Sequence, residues 1–131
     1  MSKPYHSTYS VVFACNYHVV WCTKYRRRVL TEAIQTRLLA LIDEQQTEYR
    51  YSVQAAEVMP DHVHLVCEVS PQLAVSHVVG KLKGYTSRVL RAEYPQLVTR
   101  LPMLWTRSKF IASASTVTLD VLKRYVESQK N

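Results

Sequence analysis

The stretch YSVQAAEVMPDHVHLVCEV, residues 51–69, contains two runs of residues that favour β-strands. Between them lie Met-Pro-Asp at 59–61, and proline and aspartate are typical of turns. The stretch therefore predicts two antiparallel strands, 51–58 and 62–69, joined as a hairpin. The strands and helices predicted on either side of this hairpin then indicate the fold class.

Outside the hairpin, the periodicity of apolar residues predicts two more strands and three helices. The predicted segments are a strand at 9–22, a helix that Thr31 caps and that runs to about Glu48, a helix at 73–91, a strand from Leu104 to Ala112, and a helix from Thr118 or Leu119 to Gln129. The order β-α-β-β-α-β predicts an α+β fold, a ferredoxin-like sandwich. We expect a mainly antiparallel sheet with helices on one face, followed by a C-terminal helix.

Composition limits the class of protein. With 131 residues and 47% hydrophobic content, residues 1–131 are expected to form a single domain. The formal net charge of +7 is compatible with a nucleic-acid partner, although charge alone leaves that at even odds. No apolar run reaches the roughly eighteen residues of a membrane span, and we expect no membrane association. The three cysteines form no CxxC pair, so we expect reduced thiols in a cytoplasmic protein.

The pair His62 and His64 is a candidate metal site. Side chains alternate along a strand, so both imidazoles lie on one face and the opposite face of this strand is wholly apolar. Two imidazoles at this spacing can chelate one divalent cation. An arbitrary His-x-His is more often a pair of exposed histidines, so the spacing alone leaves both interpretations open.

Tyr125 and Gln129 form a second candidate. They are four residues apart on the predicted last helix and therefore share a face. A tyrosine there is usually a packed ring, but tyrosine can also act as a covalent nucleophile. Gln129 offers the oxygen ligand that magnesium would require beside two histidines. If helix and strand meet, the four side chains could cut a phosphodiester.

Five segments of the sequence resemble those of TnpA-type single-strand DNA transposases of small bacterial and archaeal insertion sequences, members of the HUH superfamily with one catalytic tyrosine. They occur in the family's order and extend over about residues 8 to 129. The segments are Tyr17-His-Val-Val-Trp-Cys-Thr-Lys-Tyr-Arg-Arg-Arg28, Met59-Pro-Asp-His-Val-His-Leu-Val66, Lys81-Leu-Lys-Gly-Tyr-Thr-Ser-Arg88, Leu104-Trp-Thr-Arg-Ser108 and Lys123-Arg-Tyr-Val-Glu-Ser-Gln129.

The resemblance implies that Tyr125 is the nucleophile and that His62, His64 and Gln129 bind Mg²⁺ or Mn²⁺. It implies a homodimer that cuts and rejoins single-stranded DNA through a 5′-phosphotyrosine and recognises subterminal hairpins, with each tyrosine helix able to act in the partner's site. Basic residues are expected to contact the DNA backbone. These are Lys24, Arg26, Arg27, Arg28, Lys81, Lys83 and Arg88.

Two positions depart from the family. Lys109 follows the serine of the Trp-x-x-Ser segment, where an aromatic residue is common. Residues 114–117, Ala-Ser-Thr-Val, lack the glycine that often precedes the last helix. The second departure concerns the mobility of the helix and not the chemistry.

Other functions remain open at this level. One is a cupin-type metal enzyme, because Glu68 follows the histidine pair at a similar spacing, although two glycines are few for that fold. Another is a ferredoxin-like module that binds nucleic acid without catalysis. A third is a related transposase-like nuclease that acts on palindromic repeats. His18 and Trp21 are interpreted as packing or DNA-facing residues.

Overall fold

The computed structural model describes residues 6–8, 11–13, 16–113 and 119–129, and these contain six strands, five α-helices and one 3₁₀ turn. The strands are β1 (His6–Thr8), β2 (Val11–Phe13), β3 (Asn16–Cys22), β4 (Tyr51–Met59), β5 (His62–Val69) and β6 (Phe110–Ser113). The helices are a 3₁₀ turn (Lys24–Arg26), α1 (Glu32–Glu44), α2 (Gln46–Tyr49), α3 (Val75–Glu93), α4 (Gln96–Arg100) and α5 (Leu119–Ser128). Among the helices described, none is long and apolar enough to cross a bilayer.

The central sheet has four strands in the order β4-β5-β3-β6, and each neighbouring pair is antiparallel. With α1 between β3 and β4, and α3 between β5 and β6, the chain follows the predicted β-α-β-β-α-β order. The ferredoxin-like α+β fold is therefore confirmed. Strands β1 and β2 pair separately as a small two-stranded sheet.

The hairpin at 51–69 is the most accurately predicted part of the fold. β4 and β5 pair from Tyr51 opposite Val69 to Met59 opposite His62, with one bulge between Val53 and Ala55, and residues 60–61 form the turn. The strand predicted at 9–22 differs from the structure, because only β3 joins the central sheet while β2 pairs with β1. Residues 9–10 and 14–15 of the predicted strand lie outside the described ranges. The first helix ends at Glu44, before its predicted end at Glu48.

The strand predicted from Leu104 to Ala112 is wrong over its first six residues. β6 begins only at Phe110, and before it the backbone makes a single bridge, between Trp105 and Thr23. Leu104 and Trp105 are apolar because they are buried in the core, not because they belong to a sheet. Burial and strand formation favour the same residue types, so periodicity cannot separate them in a short run.

Helices α1 and α3 cover one face of the sheet, as predicted. Val63, Leu65, Cys67 and Val69 of β5 are at most 2% exposed and belong to the same core as the apolar stripes of both helices. Burying each such side chain contributes about 1.5–3 kcal/mol, so this core fixes which face of β5 is covered. The opposite face carries His62 and His64, and α5 lies beside it.

Thr31 is the N-cap of α1, as the sequence predicts, and its hydroxyl accepts a hydrogen bond from the backbone N–H of Ile34. We expect Thr31→Ala to lower the free energy of unfolding by about 1 kcal/mol, because that N–H loses its partner. Thr36→Ala, at an exposed position inside the same helix, is the matched control and should cost nothing. Urea unfolding of the two variants measures the difference, and equal midpoints would contradict the capping role.

Candidate functional site

His62 and His64 lie side by side on β5, on the face turned away from the core. Each side chain is 20% exposed, while Val63 between them is fully buried. The alternation of a strand produces this arrangement directly, because the apolar residues are committed to the core. Both imidazoles are therefore held on a rigid element and remain accessible.

His62 is oriented by the residue that precedes it. Its Nδ1 is 2.7 Å from Oδ1 of Asp61, and Nε of Arg26 donates to the other carboxylate oxygen of Asp61 at 2.8 Å. Burial alone would raise the pKa of Asp61, but the hydrogen bonds from His62 and Arg26 outweigh it and lower the pKa. The carboxylate is thus ionised at neutral pH and keeps the proton of His62 on Nδ1. Nε2 of His62 then presents its lone pair outward, the state in which a histidine binds metal.

Arg26 reaches Asp61 from a strained turn. Tyr25 and Arg26 have φ values of 57° and 52°, in the left-handed region that bulky side chains rarely adopt. Such a conformation costs about 1 kcal/mol per residue and persists where surrounding contacts enforce it. Here Arg26 also donates from Nη1 to the carbonyl oxygen of Val126, at 3.1 Å. The predicted DNA contact Arg26 therefore links the histidine strand to α5 within the protein.

His64 has a different environment. Its Nε2 lies 3.0 Å from Nδ1 of His18 on the neighbouring strand β3, and its Nδ1 lies 3.8 Å from the exposed carboxylate of Glu57 on β4. Burial is the main cause that lowers the pKa of His64, and the nearby His18 adds to it while Glu57 opposes it. At neutral pH His64 is therefore a neutral imidazole, the form required of a metal ligand.

A cavity of about 340 Å³ separates the histidine face of the sheet from α5. The polar side chains that line it on the side away from α5 are His62, His64 and Arg26. From α5, the lining side chains are Leu122, Lys123, Val126 and Glu127. The last helix and the histidine strand therefore line the same cavity, whereas Tyr125 and Gln129 are not among its lining residues.

Tyr125 and Gln129 share one face of α5, as their spacing predicts, and both contact Ser108. The hydroxyl of Ser108 is 3.0 Å from the Tyr125 hydroxyl and donates to Oε1 of Gln129 at 2.7 Å. The ring of Phe110 lies 5.5 Å from that of Tyr125. Burial is the main cause that raises the pKa of Tyr125, although the Ser108 bond opposes it. In this arrangement the phenol is protonated and held on the β6 side of the helix.

Lys83 holds the segment that carries Ser108. Its ammonium group donates to the carbonyl oxygens of Thr106, Arg107 and Ser108, at 2.7, 3.3 and 3.0 Å. Burial lowers the pKa of Lys83 to about 8, so the amine is still mainly protonated at neutral pH. Lys83 was predicted to contact DNA; with a side chain that is only 8% exposed, it instead fixes the backbone before β6.

The other five basic residues predicted to contact DNA lie at the surface. Lys24 and Arg27 flank the ring of Tyr25, at 5.0 and 6.0 Å from its centroid. Lys81 lies 5.7 Å from the ring of Tyr49, and Arg88 lies 5.3 Å from the ring of Tyr85. Arg28 is exposed as well. Aromatic rings beside cations are suited to single-stranded nucleic acid, so these five residues stay predictions as DNA contacts.

Comparison with known proteins decides the family. Residues 11–129 match the family described as "Transposase IS200 like". This chain belongs to the IS200-like transposases. The match includes every element of the central sheet, the histidine pair, and α5 with Tyr125 and Gln129.

Individual IS200-like transposases agree with this assignment. The chain is 37% identical over 120 residues to the ISDra2 transposase TnpA of Deinococcus radiodurans, which covers 90% of this chain and 86% of that protein. It is 29% identical over 122 residues to the transposase for insertion sequence element IS200 of Salmonella typhimurium, over 88% of this chain and 80% of that one.

Solved structures confirm the fold. The crystal structure of a putative transposase from Deinococcus radiodurans superposes with a TM-score of 0.87 at 30% identity, covering 95% of this chain and 97% of that one. A REP-associated tyrosine transposase bound to a REP hairpin superposes with a TM-score of 0.57 at 16% identity, covering 97% of this chain and 69% of that one. At that identity the second likeness concerns the fold alone.

The observed fold excludes one of the alternative functions that the sequence left open. A cupin-type enzyme is excluded, because the sheet of four antiparallel strands with helices is not that fold. Glu68, which suggested it, is 3% exposed and lies within the sheet. Of the two departures from the family, residues 114–117 lie outside the described ranges, and Lys109 directly precedes β6.

Two residues of the site were missed by sequence reasoning. Asp61 was interpreted as part of a turn, yet it orients His62. His18 was interpreted as packing or DNA-facing, yet it contacts His64. No local signal indicated His18, because only the register of β3 and β5 places it near His64: the partner of His64 is Val20, two residues from His18 and on the same face.

Proposed function

We propose that this IS200-like transposase cuts and rejoins single-stranded DNA at the ends of an insertion sequence, with Tyr125 as the nucleophile. It would recognise hairpins close to those ends. The observation that carries the proposal is the oriented pair His62 and His64, which faces the helix of Tyr125 across a cavity.

The proposed chemical step uses the hydroxyl group of Tyr125 as the attacking group. The Tyr125 oxygen attacks phosphorus and the bond from phosphorus to the 3′ oxygen breaks, giving a 5′-phosphotyrosine and a strand that ends in a 3′-OH. The phenol proton leaves for solvent or for the departing oxygen. Rejoining is the reverse step with another 3′-OH, and the phosphotyrosine conserves the bond energy. Ser108, which contacts the Tyr125 hydroxyl, is in place to orient it before the attack.

His62, His64 and Gln129 are suited to hold Mg²⁺ or Mn²⁺. The two imidazoles share the open face of β5, and the Gln129 carbonyl adds the oxygen ligand that these ions prefer. When bound, such an ion would polarise the scissile phosphate and stabilise the charge that develops on it. Within the described ranges, no three His, Cys, Asp or Glu side chains are grouped to hold a metal. A third ligand such as Gln129 is therefore needed to complete the site.

The position of α5 supports an assembly step. Its cavity-lining face carries Leu122 and Val126, whereas Tyr125 and Gln129 contact Ser108. We propose that the chain acts as a homodimer, in which the α5 of one protomer can complete the histidine pair of its partner. This arrangement would keep the nucleophile from DNA until both protomers have bound.

We assign DNA binding to five cations that are exposed or partly exposed. Lys24, Arg27, Arg28, Lys81 and Arg88 are free to contact phosphates, and the rings beside them can stack on unpaired bases. Arg26 and Lys83 have internal roles in the structure and are left out of this set.

A cleavage assay tests the proposal. Single-stranded DNA carrying the flanking hairpin of the native locus is labelled at its 3′ end and incubated with Mg²⁺, Mn²⁺ or EDTA. We expect a labelled covalent adduct that survives SDS, requires a metal, and is lost when the hairpin stem is scrambled. Label placed at the 5′ end should be released on a fragment with a 3′-OH. Binding of the hairpin without adduct under any metal would instead favour a non-catalytic module.

A further inference from the structure

His18 lies beside the proposed metal ligand His64 although it belongs to another strand. In the register of β3 and β5, Val20 is opposite His64 and His18 is opposite Val66. Side chains two positions apart on a strand share a face, so His18 and His64 are diagonal neighbours on the open side of the sheet. Their ring nitrogens, Nδ1 of His18 and Nε2 of His64, are 3.0 Å apart.

The geometry of the two rings is that of a hydrogen bond. The ring centroids are 5.2 Å apart and the planes are inclined by only 24°. A ring nitrogen lies about 1.1 Å from its centroid, so an N···N distance of 3.0 Å gives this centroid separation only when the rings meet edge to edge. One nitrogen must then donate its proton directly to the lone pair of the other.

A hydrogen bond at one nitrogen of an imidazole determines what the other nitrogen can do. Nε2 of His64 is engaged by His18, whereas Nδ1 is directed toward the side of Glu57. If Nε2 carries the proton, the lone pair of His64 is on Nδ1. The Asp61–His62 pair has the opposite arrangement, with the proton on Nδ1 and the lone pair on Nε2.

We propose that His18 is a positioning residue for His64. By accepting the Nε2–H of His64 on its own Nδ1, it fixes the ring plane and the tautomer of His64 and leaves Nδ1 of His64 for a metal ion. This inference rests on the proposed function in so far as it concerns the metal. The two histidines of the pair thus have different supports, a carboxylate for His62 and an imidazole for His64.

Mn²⁺ binding to the full chain tests the metal part, by calorimetry or by the electron paramagnetic resonance signal of free Mn²⁺. We expect His18→Ala to weaken Mn²⁺ about 10- to 100-fold, as loss of an outer-shell partner does. His18→Asn should recover most of the affinity, because its side-chain oxygen falls close to the place of Nδ1. His77→Ala, at an exposed histidine on α3, should bind as wild type does. Equal affinity of wild type and His18→Ala would overturn the proposal.

Nitrogen-15 NMR of the imidazoles tests the positioning without metal. Wild type should show His64 as the Nε2–H tautomer, and His18→Ala should show a mixture of tautomers at an unchanged unfolding temperature. A predominant Nδ1–H tautomer of His64 in wild type would overturn the inference. Absence of Mn²⁺ binding by wild type would refute the metal proposed for the function, while the tautomer would still decide the role of His18.

Discussion

Tyr125→Phe is expected to abolish the covalent protein–DNA adduct, with a loss of at least about a thousandfold in cleavage rate, because the oxygen proposed to accept the phosphoryl group is removed. The phenylalanine ring keeps its packing against Phe110 and loses only the hydroxyl that contacts Ser108. The fold should therefore be unaffected, with less than about 1 kcal/mol lost from the free energy of unfolding.

The measurement compares adduct formation and hairpin binding in the same preparations. Tyr125→Phe should bind the hairpin as wild type does and form no adduct. Tyr94→Phe is the matched control, since it removes a tyrosine hydroxyl from a half-buried position at the end of α3 and should leave the adduct intact. An adduct of normal yield in Tyr125→Phe would show that another residue is the nucleophile.

Substitution of the histidine pair is expected to have the second largest effect. His62→Ala and His64→Ala should each weaken Mn²⁺ by more than about a hundredfold, since loss of an outer-shell partner alone costs 10- to 100-fold. Cleavage at a fixed, moderate Mn²⁺ concentration should fall accordingly. Both side chains lie outside the core, so the unfolding temperature should change little.

Calorimetric titration with Mn²⁺ measures the affinities, and the adduct assay is repeated over a range of Mn²⁺ concentrations. His77→Ala removes an exposed histidine from α3 and is the control for unspecific metal binding. If excess Mn²⁺ restores cleavage by His62→Ala, the residue acts through metal affinity. If both variants bind Mn²⁺ and cleave as wild type does, the pair is not a metal site.

The sequence was most informative where a local pattern has one structural solution. The hairpin at 51–69, the cap at Thr31 and the helix that begins at Leu119 were all predicted from short-range signals. The strand predicted from Leu104 was wrong, because Leu104 and Trp105 are apolar for packing in the core. Its backbone bonds instead join Leu104 and Thr106 to the segment at 22–24, and its carbonyl oxygens at 106–108 accept from Lys83. All these partners are more than twenty residues away, so no local pattern contains them.

In the candidate site, too, local patterns predicted the arrangement within each element but not the contacts between elements. Alternation along β5 by itself determined that His62 and His64 share the open face, and helical spacing determined that Tyr125 and Gln129 share another. Only the tertiary structure decided that Asp61 and His18 support the histidines and that Ser108 contacts the tyrosine helix. The reason is physical: periodicity fixes where a side chain points within its own element, whereas contacts between elements depend on strand order, register and packing, which form only when distant segments of the chain are brought together.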